Sequence, residues 1–102
     1  MKISDVEILE QVKDDLVTGR LFYNSIENGI GDYFFDSLIS DIESLRLYAG
    51  IHNKQWSLYK MLARRFPFAV YYIVREETAI VIAVLDLRSN PSWNREKLRS
   101  RH

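Results

Sequence analysis

Residues 64–88 decide the architecture: Arg64-Arg65-Phe66-Pro67-Phe68-Ala69-Val70-Tyr71-Tyr72-Ile73-Val74-Arg75-Glu76-Glu77-Thr78-Ala79-Ile80-Val81-Ile82-Ala83-Val84-Leu85-Asp86-Leu87-Arg88. Phe66 to Val74 is rich in the aromatic and β-branched residues that strands favour. Pro67 has no N–H to give a ladder, so it belongs at the start of that strand. Glu76-Glu77-Thr78 fits a hairpin turn, and Ala79 to Leu87 is the partner strand. Its near-continuous apolar run implies burial on both faces and a central place in a sheet.

Working outward, Leu58 to Ala63 is a further strand, and the polar residues 51–56 before it read as a loop. Upstream the period changes. Phe34, Phe35, Leu38, Ile39, Ile42, Leu45 and Ala49 recur at helical spacing, so a helix is expected from Asp32 to Ala49, with Gly50 just past its end. Leu9, Val12, Leu16, Tyr23 and Ile26 mark an earlier helix, with Lys13, Asp14, Asp15 and Arg20 off the stripe. Gly19 lies on that stripe and costs about 1 kcal/mol relative to Ala, which points to close approach of a neighbour. Asn28-Gly29-Ile30-Gly31 separates the two helices, which should form an antiparallel hairpin. Val6 and Ile8 alternate in a short strand before it. The expected class is α+β: an N-terminal strand, a helical hairpin, then a three-stranded, mostly antiparallel sheet, in the order β-α-α-β-β-β. All 102 residues are assigned to one domain, with a basic tail at 92–102 that frays.

Composition narrows the function. Fourteen basic and fourteen acidic residues cancel, but residues 1–50 carry ten acidic and four basic side chains and residues 51–102 the reverse. The chain is a negative half followed by a positive one, a pattern that points to an anionic partner. Forty-seven per cent apolar residues exclude intrinsic disorder, and the absence of cysteine excludes a disulfide framework and thiolate chemistry. The N-terminus is not a signal peptide, and the longest apolar run, Ala79 to Leu85, is far short of the ~20 residues of a membrane helix. A cytoplasmic protein with no membrane role is expected.

Few residues carry chemistry on their own. Arg64, Arg65, Arg75 and Arg88 lie on or beside strands, and Tyr59, Phe66, Phe68, Tyr71, Tyr72 and Trp93 either pack in the core or stack on bases. Asp86 ends an apolar strand, where it serves as an acid or base or simply pairs with a nearby arginine. His52 lacks metal-ligand spacing to a second histidine and reads as a surface residue. Ser89 has no histidine at a triad spacing, and Gly29 with Gly31 is half of any phosphate-loop pattern. No metal and no cofactor is called for.

The stretch from Leu62 to Tyr72 resembles the "R-R-F-P-Y-x-V-Y-Y" strand of the RelE/ParE family of type II toxins, of plasmid-stabilisation type. Ala83 to Pro91 resembles that family's terminal strand, "A-V-L-H-x-R-R-x-P". Asp15-Leu16, Phe22-Tyr23, Gly29-Ile30-Gly31-Asp32 and Phe35 are similar to its helical hairpin, so the resemblance spans nearly the whole chain. It implies a bacterial toxin neutralised by a cognate antitoxin, and leaves room for a homo-oligomer. RelE-like members cut messenger RNA in the ribosomal A site without a metal, and ParE-like members poison DNA gyrase through protein contacts. The nuclease reading implies Arg65, Tyr72 and Arg88 as catalytic residues. Binding falls to Arg64, Arg65, Arg75, Asp86, Arg88, Trp93 and Arg95. Asp86 stands where many members have His, and Ser89 where a second Arg often follows. Those departures favour the ParE-like, non-enzymatic reading over the endoribonuclease, with a degenerate, non-toxic binding module third. An acidic segment of the antitoxin is expected on the basic sheet side.

Overall fold

The computed structural model describes residues 2–102. Strand β1 (Asp5–Ile8) leads into helices α1 (Glu10–Ile26) and α2 (Ile30–Glu43) and the short α3 (Leu45–Tyr48). Strands β2 (Lys54–Gln55), β3 (Leu58–Leu62), β4 (Phe68–Arg75) and β5 (Thr78–Asp86) follow, then helix α4 (Pro91–Arg101). The strands form one sheet in the order β1-β5-β4-β3-β2, with β1 parallel to β5 and the other pairs antiparallel. The α+β class and the helical hairpin are as expected. The sheet has five strands, because β1 joins it and Lys54–Gln55 closes a two-residue hairpin onto Leu58 and Tyr59. The long second helix is broken at Ser44, whose hydroxyl turns back onto the Asp41 carbonyl. Such a bond competes with the helical ladder and bends it.

β5 lies between β1 and β4 and is buried on both faces. A bulge opposite Tyr71/Tyr72 lets Ile82 intervene between the partners of those residues, which flips the side-chain alternation along β5. Ala79, Val81 and Val84 therefore pack with Phe68, Val70 and Tyr72 under the hairpin residues Val12, Leu16, Phe34 and Leu38. Ile82, Ala83 and Leu85 face the other way, with Ala69, Tyr71 and Leu58, and meet Leu98 of α4.

Helix α4 corrects the expectation of a fraying tail. Asn90 caps it by accepting from the Ser92 N–H, and Pro91 occupies the first turn, where its missing N–H costs nothing. Its inward face is Asn94, Leu98 and Arg101, at four- and three-residue spacing. Leu98 is 2% exposed, and burial of such a side chain contributes about 1.5–3 kcal/mol. Asn94 donates to the Asp86 carbonyl at 2.9 Å. Arg101 makes a two-pronged ion pair with Asp15 of α1, at 2.6 and 2.8 Å. Asp15 is charged and lies off the apolar stripe, yet its side chain is only 5% exposed.

The pair sits where β1 stops. Leu9 donates the last bond from the N-terminal segment to the Val81 carbonyl, and β5 then runs on with an open edge. Asp15 accepts from the Val84 N–H at 2.9 Å, and Arg101 reaches the Ile82 carbonyl at 3.3 Å. Two side chains thus take the bonds that a further strand would have taken.

The glycines of the hairpin allow its close packing. A Cβ on Gly19 would lie 2.5 Å from the Phe34 ring, which is fully buried, and one on Gly31 would collide with the Arg20 carbonyl. Gly19→Ala and Gly31→Ala should each destabilise the protein by about 1–3 kcal/mol despite the better helix propensity of Ala. Urea midpoints check this, and Gly31 should be the costlier site because its obstacle is backbone.

Candidate functional site

The register of β4 and β5 sets Phe68 opposite Asp86. The 63–67 loop and the 87–90 turn therefore meet at one end of the sheet, joined by the bond from the Leu87 N–H to the Pro67 carbonyl at 2.8 Å. Phe66 pins the loop to the hairpin, its ring 4.9 Å from Tyr23, 5.1 Å from Phe34 and 5.6 Å from Tyr33. Phe22 and Tyr33 stay about half exposed beside it. Arg65, Asp86 and Arg88 share this end; Arg75 closes β4 at the opposite end, beside Thr78.

The arginines there differ in freedom. Arg88 grips Asp86 with two side-chain bonds of 2.8 and 3.0 Å, and its backbone N–H adds a third at 2.8 Å. The same guanidinium donates to the Tyr23 hydroxyl at 3.0 Å and lies over the Phe22 and Tyr23 rings. Burial alone would raise the Asp86 pKa, but the hydrogen bonds and charge of Arg88 outweigh it and hold the carboxyl below its ordinary value. Arg88 is raised in turn, chiefly by its bond to Asp86. Asp86 is thus an ion-pair partner and stays ionised at neutral pH. Arg64 donates from its side chain and its backbone N–H to Asp41, both at 3.2 Å, and Asp41 is buried. Arg65 is exposed and makes no ion pair among the described residues.

Tyr72 lies elsewhere. It is fully buried under the hairpin, where its hydroxyl accepts from the Gly50 N–H at 2.9 Å and bonds His52 Nδ1. Burial pushes its pKa up, so it is neither exposed to substrate nor ready to ionise. His52, expected at the surface, is half-buried against it. Trp93 is 70% exposed on the outside of α4, and Arg95 on the opposite flank of that helix lies over the Trp56 ring. The structure therefore unites Arg65, Asp86 and Arg88 and separates them from Tyr72, Arg75 and Arg95. Asp41 and Tyr23 fix the arginines; neither is among the site residues the sequence points to, although Tyr23 lies on the apolar stripe of α1. Asp41 lies between Leu38, Ile42 and Leu45, and a charge on an apolar stripe is the signal of a buried pair.

Beside α2 and α3 a groove of about 900 Å³ runs along β3, with Arg64 and His52 in its lining. Tyr48, Ile51 and Leu62, all more than half exposed, form its apolar rim. The sheet face away from the hairpin carries an apolar cluster of Leu58, Ala69, Tyr71, Ile82, Ala83 and Leu85 that packs with Leu98 of α4. Among the described residues no three His, Cys, Asp or Glu side chains group as metal ligands. No helix there is long and apolar enough to cross a membrane.

No family model matches the chain, and no curated protein matches it. Among solved structures, a chain of "Chromosomal ParDE TA system from P. aeruginosa" superposes with a TM-score of 0.75 over 82% of this chain and 96% of that one. The two share a fold. Their sequences are 10% identical, so the shared architecture rests on pattern and packing rather than on retained side chains.

Burial lowers the His52 pKa below 6.5. The unfolded chain then takes up a proton before the folded one does, and stability must fall as the pH drops through 6.5 towards the folded value. Urea midpoints between pH 7 and pH 5.5 should decline for the parent chain and flatten in His52→Gln; an equal slope in both would exclude His52 as the cause.

Proposed function

We propose that this chain is the toxin of a type II toxin–antitoxin pair, working in the cytoplasm and acting as ParE-like toxins do, through protein contacts that inhibit DNA gyrase. The shared fold and the resemblance of residues 62–91 support the toxin reading. One observation carries the choice of mechanism: the residues a nuclease would need are committed elsewhere. Tyr72 is sealed in the core, Arg88 is held by Asp86 and Tyr23, and among the described residues Arg65 alone is unpaired at that end. Metal-free RNA cleavage requires a base, an acid and free cations around one phosphate. A single arginine does not supply them.

The end of the sheet suits protein contact better. Half-exposed Phe22 and Tyr33 flank Phe66, with Arg65 and Arg88 at their border. Aromatic and arginine side chains dominate the energetics of protein interfaces. The antitoxin segment fits the groove beside β3, whose rim residues Tyr48, Ile51 and Leu62 would be covered by an apolar stretch of partner. That placement differs from the basic sheet side, whose apolar centre packs with Leu98 of α4.

The purified chain at micromolar concentration should inhibit gyrase supercoiling, and Phe22→Ala with Arg65→Ala should weaken the inhibition at least tenfold. Primer extension on translated message should show no new cuts. A-site cuts without gyrase inhibition would assign the chain to the ribosome-dependent endoribonucleases instead. Neither effect, with no growth arrest on expression, would leave a non-toxic binding module.

A further inference from the structure

The turn between β2 and β3 is built against backbone preference. Its two central residues, Trp56 and Ser57, have φ of 55° and 67°. Two-residue hairpins with positive φ at both positions favour Asn-Gly, and a tryptophan there is an outlier. Conformations of this kind persist only where the surroundings hold them, and they concentrate at ligand sites. What holds Trp56 is a stack on Tyr71, with centroids 6.2 Å apart and planes 19° off parallel, and the Arg95 guanidinium 6.0 Å from its centre.

Beside this ring lies a recess of about 260 Å³ between the turn and α4, lined by Trp56, Leu58, Leu98, Arg95, Arg99 and His102. Among the described residues its lining has no carboxylate side chain. Arg95 has no acidic partner among the described residues, and Arg99 has only the exposed Glu96 at 3.7 Å. A second recess of about 500 Å³ shares His102 and includes Ser57, Lys54, Tyr59 and Arg75, with Glu76 as its one carboxylate among the described residues. Together the two reach the size of small-molecule sites, ~300–1,000 Å³.

We propose that this recess binds a nucleoside phosphate, the base against Trp56 and the Arg95 guanidinium and the phosphate on Arg95 and Arg99, independently of the gyrase reading. Indole faces and guanidinium planes both stack on nucleobases, and each stacked base is worth a measurable share of affinity whatever its identity. The arginine fork matches phosphate geometry. An acidic peptide would satisfy the charges but not the aromatic platform. The same chemistry is presented by a free nucleotide and by one unit of a single strand, and in the second case Lys54 and Arg75 would meet the neighbouring phosphates.

Trp93→Phe leaves Trp56 as the sole tryptophan of the full chain. Its fluorescence should be quenched saturably by adenosine monophosphate or by a decathymidylate. Arg95→Gln with Arg99→Gln, both exposed positions, should weaken that binding at least tenfold without lowering the melting temperature. Quenching by the mononucleotide assigns a free nucleotide, and quenching by the decamer alone assigns a strand. The proposal is overturned if neither probe quenches, if the double variant binds as well as its parent, or if a decaglutamate quenches equally.

Discussion

The ion pair between Asp15 and Arg101 links three elements that otherwise have separate reasons to exist. Asp15 belongs to the hairpin on one face of the sheet, and Arg101 to the helix on the other. Between them runs the part of β5 that β1 leaves unpaired. An isolated buried carboxylate would be strongly destabilising, and removing one member of such a pair typically costs about 3–5 kcal/mol. Here the same two groups also close the Val84 N–H and Ile82 carbonyl of an open edge. An uncovered edge of that kind is a template for pairing with another chain.

Because α4 is anchored in this way, the second face of the sheet is partly covered as well. The hairpin covers one side and Leu98 joins the apolar cluster on the other, which leaves the ends, the edges and the flank of α4 for function. At one end Phe66 and Arg88 tie the strand termini to α1. Along β3 the groove beside α2 and α3 remains open, and at the far corner the strained Trp56–Ser57 turn faces the basic flank of α4. The charge split of the sequence is thereby redistributed: Arg64, Arg88 and Arg101 meet acidic partners, whereas Arg65, Arg75 and Arg95 remain without one among the described residues.

The fold was largely legible in the chain. The apolar run of β5 announced a strand buried on both faces, although β4 holds the middle of the sheet, and Gly19 announced the contact that Phe34 makes with it. What escaped was encoded in polar residues. α4 shows a single inward aliphatic, so its periodicity is silent; the Asn90-Pro91 cap was the available sign. Lys54–Gln55 is too short and polar to read as a strand, and the bulge at β5 shifts side-chain parity without a glycine to mark it. For the site, the arginines were visible but their freedom was not. That freedom depends on Asp41, Asp86 and Tyr23, which come near only after folding, and the burial of Tyr72 follows from its register against Val81.

Amide hydrogen exchange at Val84 tests the central claim most directly. This amide, on a strand edge with no neighbouring strand, should be protected nearly as well as the core of β4. Arg101→Gln should reduce its protection at least a hundredfold, in line with the loss of a buried partner. Exchange at Val84 as fast as in an open loop, or protection unchanged by the substitution, would contradict it.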